Sequence, residues 1–145
     1  MDRKEFLQIC GGSCLGLVGI SLAHACVPTK HIQSTVTNNQ VCILKTEFKV
    51  SEKDNNKFRK SIITKINGLD YPVVIYRFSE NSYSALLLRC SHQGNELSMN
   101  GDILSCSAHG SEFSNKGEVI QGPAEQSLQS FTVTNDQEHI YVHLK

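Results

Sequence analysis

Cys90-Ser91-His92-Gln93-Gly94, followed after residues 95–105 by Cys106-Ser107-Ala108-His109-Gly110-Ser111, is the stretch that decides how this chain reads. It sets two Cys and two His in the spacings Cys-x-His and Cys-x-x-His. Thiolate and imidazole together suit zinc or an iron–sulfur cluster, and each short spacing lets one Cys and one His leave a single tight loop for a shared centre. The four donors alone leave two readings open: a structural zinc site bracing a non-redox binding module, or an iron–sulfur centre.

The neighbouring residues add information. Gly94 and Gly110 each follow a Cys/His pair, where a loop approaching an inorganic cluster needs backbone without a Cβ. Gly101 and Gly117 read more simply as hairpin glycines. Further on stands Gly122-Pro123-Ala124. Taken in order, these pieces closely resemble the Rieske family, whose two cluster-binding loops read Cys-x-His-x-Gly and Cys-x-x-His-Gly and are followed by a Gly-Pro loop that packs over the cluster. The resemblance covers roughly residues 85–125 and, through the strand pattern, extends to 41–145.

The resemblance implies a [2Fe-2S] cluster with Cys90 and Cys106 on one iron and His92 and His109 on the other. Gly94, Gly110, Ser111, Gly122 and Pro123 would shape the cluster-binding site. Ser111 falls where many high-potential members have a hydroxyl that donates to a bridging sulfide, which favours the more negative reduced cluster and raises the potential. The sequence also departs from the respiratory form. Asn95 and Ala108 occupy the positions of its cross-loop disulfide, and Phe113 that of a Tyr donating to a ligand sulfur. With one donor kept and one lost, the expected potential lies in the middle or lower part of the Rieske range of roughly −150 to +300 mV.

Outward from the motif the chain is all β. Short runs rich in Val, Ile, Thr, Phe and Tyr predict strands over 41–50, 61–66, 73–78, 82–88, 103–105, 119–120, 131–134 and 140–144. Asn67-Gly68, Asn100-Gly101, Asn115-Lys116-Gly117 and Asn135-Asp136 lie between them and suit tight hairpins. The expected architecture is a Rieske-like antiparallel β-sandwich over 41–145 with both ligand loops at one tip. The charged run 51–60 reads as a solvated loop. Cys42, inside an apolar run, reads as a small buried hydrophobe. His139, His143 and His31 read as solvent-facing, and Glu96 and Glu112 as solvated.

Residues 1–25 begin Asp2-Arg3-Lys4-Glu5, continue through an apolar centre around Leu15-Gly16-Leu17-Val18 and end Ala23-His24-Ala25. That order reads as an export signal, with a retained membrane anchor or a lipid-bearing Cys26 as the other outcomes. Polar residues 26–40 read as a linker. Length suits one domain with a real core. Charge is balanced, with 14 Lys+Arg against 14 Asp+Glu, Trp is absent and no basic patch interleaves with aromatics, so nothing points to nucleic acid or an anionic surface as partner. No Ser-His-Asp or Cys-His nucleophile pattern and no phosphate-cradling loop occurs. The resemblance therefore implies an exported or tethered one-electron carrier, or the iron–sulfur subunit of a larger oxidoreductase, with a redox protein as partner.

Overall fold

The computed structural model describes residues 27–51 and 53–145; the leader at 1–25 and Cys26 lie outside the described residues. Extended segments dominate. β1 (Lys30–Ser34) and β2 (Gln40–Leu44) lead into a 3-10 turn, Lys45–Phe48, and then a hairpin of β3 (Lys49–Ser51) and β4 (Asp54–Phe58). β5 (Ser61–Ile66), β6 (Val73–Arg77) and β7 (Tyr83–Leu87) follow as an antiparallel meander. Next come four three-residue strands, β8 (Ser98–Asn100), β9 (Ile103–Ser105), β10 (Glu112–Ser114) and β11 (Val119–Gln121). β12 (Ser130–Asn135) and β13 (His139–His143) close the chain.

The seven-stranded sheet runs β1-β5-β6-β7-β12-β13-β2, and the four-stranded sheet runs β11-β10-β9-β8. Among the described strands all pairs are antiparallel except β1 with β5. Since β7 pairs directly with β12, the four-stranded sheet is an insertion between sheet neighbours.

The wall between the two parts is β6 and β7. Val73, Ile75, Ala85 and Leu87 face one apolar cluster with Val41, Ile62, Ile140 and Val142. Val74, Tyr76, Leu86 and Leu88 face a second with Leu97, Leu104, Phe113, Ala124, Leu128 and both motif cysteines. Strand alternation divides the side chains this way, and burial on both faces explains the unbroken apolar run Val73-Val74-Ile75-Tyr76. Tyr76 also donates its hydroxyl to Gly101 O at 3.2 Å, tying the β8–β9 hairpin to the wall. Burial and, secondarily, the nearby Asp102 push its phenol well above the usual range.

Four expectations need correction. Lys30–Ser34, read as linker, is an edge strand: only Ile32 on its inward side is apolar, so the pattern was too sparse to register, although Ser34 accepts from buried Thr64 at 2.8 Å. Residues 41–50 break at the 3-10 turn and are not one strand. The run 51–60, read as a solvated loop, instead supplies the end of β3 and the whole of β4, a hairpin that Arg59 braces through Phe48 O and Lys49 O. Cys42 is exposed, because its neighbours Val41 and Ile43 take the inward positions of β2.

Candidate metal centre

Two loops of the insertion carry the motif, and the chain folds them alike. In the first, Cys90 N donates to Asn95 O at 2.8 Å and Gly94 N to Cys90 O at 2.9 Å. In the second, Cys106 N donates to Ser111 O at 2.8 Å and Gly110 N to Cys106 O at 2.9 Å. The glycine four residues after each Cys has φ +80°, a left-handed backbone that a side chain resists.

This shared turn sorts the donors by depth. Cys90 and Cys106 are each 2% exposed, lie within the second apolar cluster and form no disulfide. His92 and His109 are exposed, with ring centroids 5.0 Å apart and planes at 90°. Two soft thiols therefore sit behind two imidazoles. Among the described residues, no three His, Cys, Asp or Glu side chains converge on one ion position.

A third loop covers the pair. The Gly122-Pro123 peptide is cis, and because Pro123 has no N–H, Ala124 supplies the next backbone donor. That N–H donates to Ser111 Oγ at 3.0 Å, and Ser111 is fully buried. The hydroxyl thereby accepts a hydrogen bond and keeps its own proton free, since among the described residues it has no other partner. Gln121 Nε2 donates to Gly110 O at 3.1 Å, and Ser91 Oγ donates to Gln126 O at 2.5 Å, so the third loop holds both of the others. Gln121, Ser91 and Gln126 escaped sequence reasoning because amide and hydroxyl contacts between loops leave no periodic trace.

The fold brings all nine sequence-predicted site residues to one end of the insertion. Asn95 and Ala108 are exposed, and Phe113 is fully buried in the apolar cluster. Glu96 is exposed and Glu112 half-buried. His139 and His143 lie on β13, away from this end, half-exposed and paired with Asp136 and Thr134.

Among curated proteins none matches the sequence. Solved structures do. The plasma membrane Rieske protein PetC3 of Synechocystis PCC 6803 is 24% identical with TM-score 0.49, over 57% of this chain and 85% of that one. Naphthalene 1,2-dioxygenase with indole bound is 21% identical with TM-score 0.55, over 74% of this chain and 26% of that one. The apo quaternary ammonium Rieske monooxygenase CntA is 17% identical with TM-score 0.54, over 74% of this chain and 33% of that one. The chain thus spans a quarter to a third of those two enzymes, and at these identities the likeness concerns the fold. The model of the Rieske [2Fe-2S] domain matches residues 34–132 of the sequence, and the chain belongs to that family, whose cofactor is a [2Fe-2S] cluster.

Proposed function

We propose that this chain is a one-electron carrier whose cluster is held by Cys90 and Cys106 on one iron and by His92 and His109 on the other. The observation that carries the assignment is the pair of like-folded loops with two buried thiols behind two exposed imidazoles. Mixed Cys₂His₂ ligation across two irons calls for that division of donors.

The surroundings fit the cluster. Gly94 and Gly110 supply backbone without a Cβ, the buried cysteines lie in an apolar, water-excluding setting, and the Ser111 hydroxyl has a proton to donate. When bound, the cluster supplies reversible one-electron transfer. Cys90 and Cys106 anchor it to the second core, and His92 and His109 form the solvent-facing end where a redox protein or enzyme subunit makes contact. Ser111 favours the reduced form by hydrogen bonding, while Phe113, without a hydroxyl, does not. The potential falls in the middle or lower Rieske range.

We further propose that the domain works outside the cytoplasm, exported or tethered through residues 1–26, as a carrier or as the iron–sulfur subunit of a larger oxidoreductase. The basic, apolar and small-residue order of residues 1–25 supports this reading. No helix among the described residues is long and apolar enough to cross a membrane. Low-temperature EPR of the dithionite-reduced protein tests the centre: the expected result is a rhombic spectrum with the low average g of mixed Cys/His ligation. Colourless protein holding zinc without iron would remove the assignment.

A further inference from the structure

Arg89 immediately precedes the first ligand loop, and the sequence holds no Lys or Arg from residue 90 to residue 115. Its backbone bridges to Glu96 in antiparallel fashion, closing the loop at its base. Its solvent-exposed side chain turns back over that loop. A Cβ placed on Gly94 would lie 3.1 Å from both Nε and Nη2, so the guanidinium rests against the Gly94 backbone and would have to give by a few tenths of an ångström to any side chain there. The Tyr71 ring stands on a further side, its centroid 5.8 Å from Cζ. Arg89 also lines a cleft together with Cys90, Ser91, His92 and Gln126, so its side chain borders the same cleft as the first Cys/His pair.

The second loop repeats the backbone but not the charge. The nearest neighbour of a Cβ on Gly110 is the neutral Gln121 Nε2, at 4.0 Å. The two halves of the centre are therefore alike in hydrogen bonding and unlike in electrostatics.

We propose that Arg89 is a positioning residue that also sets the potential: it pins the first ligand loop through Gly94 and holds a cation beside the site that favours the reduced state. The proposal rests on the ligand assignment above. Reduction brings one electron from the redox partner and makes the site one unit more negative, which a nearby guanidinium stabilises by Coulomb attraction. The planar group packs flat on backbone, and Lys, a point charge on a flexible stem, keeps the charge but not that contact.

The test is a redox titration of the cluster-loaded full chain followed by EPR, with amide hydrogen exchange at Gly94, for wild type, Arg89→Gln and Arg89→Lys. Arg89→Gln is expected to lower the reduced-to-oxidised ratio at the wild-type midpoint about fivefold, roughly 40 mV at 59 mV per tenfold for one electron. Arg89→Lys is expected to restore at least half of that shift, while Gly94 exchanges faster in both variants. An unchanged midpoint in Arg89→Gln, or a lysine variant as low as the glutamine one, overturns the electrostatic role, and unchanged Gly94 exchange overturns the positioning role. Arg89→Met serves in place of Arg89→Gln if the latter does not hold the cluster. A wild-type chain lacking the mixed-ligand signal overturns the ligand assignment instead.

Discussion

Ser111 is the residue at which structure and redox chemistry meet most closely. Its oxygen satisfies the Ala124 N–H, and on the proposed assignment its proton goes to the centre, so Ser111→Ala would remove both at once. The midpoint should fall by on the order of 60 mV, the equivalent of about 1.4 kcal/mol for one hydrogen bond to a charged acceptor. Stability should fall by about 1–3 kcal/mol because a buried N–H loses its partner. Redox titration and urea unfolding read the two effects separately. Phe113→Tyr runs the other way, adding a hydroxyl at a fully buried position of the second core. If that hydroxyl reaches a ligand sulfur, the midpoint rises, and a variant whose midpoint stays at the wild-type value while stability drops would show that the position does not face the thiolates. The four residues proposed as ligands were legible as candidates from sequence because two Cys/His pairs stand there at short spacings that suit one metal centre. Arg89 was not, because its role depends on a side chain folding back onto a glycine five residues later.

At the scale of the element, legibility followed apolar alternation. β5 and β9 match the sequence expectation residue for residue, and β6, β7, β12 and β13 differ at their ends, since each carries inward Val, Ile, Leu or Phe that the core demands. β1, β4, β8 and β10 were not expected, because three-residue pieces and polar strings such as Asp54-Asn55-Asn56-Lys57 pair through backbone hydrogen bonds that no side-chain period reports. The β12–β13 turn was expected at Asn135-Asp136, and its chemistry supports a prediction. Asp136 Oδ1 accepts the N–H groups of His139 at 2.7 Å and Glu138 at 2.8 Å, and Oδ2 accepts the Tyr141 hydroxyl at 2.8 Å. These bonds, the His139 N–H foremost, hold the carboxyl down at about 2 from its ordinary 3.8. Because the folded value lies below the unfolded one, the stabilisation is fully present above pH 3.8 and is lost as pH falls through about 2. Asp136→Asn should therefore unfold at lower urea than wild type at pH 6, and the gap between the two midpoints should narrow steadily from pH 4 to pH 2.

For the whole molecule, the decisive feature is that β6 and β7 serve two cores and that the cysteines belong to only one of them. The first core holds the seven-stranded sheet together, and the second fixes the insertion and both ligand loops. Leu104 and Ile140 are each fully buried, one in the second core and one in the first. Truncating either to Ala should cost about 2–5 kcal/mol, from lost transfer energy and the cavity left behind. Their effects on the centre should differ. Leu104 lies on β9 one residue before Ser105 and two before Cys106, and its cluster includes Cys90, so a cavity there loosens the wall behind both thiols. Ile140 pairs with Ile43 and belongs to the first core, which holds neither motif cysteine. Under a chelator in native buffer, Leu104→Ala should lose its visible iron–sulfur absorbance several-fold faster than Ile140→Ala after matching for global stability in urea. Equal rates of loss would mean that the centre is released only by global unfolding, and that the two cores open as one cooperative unit across the shared wall.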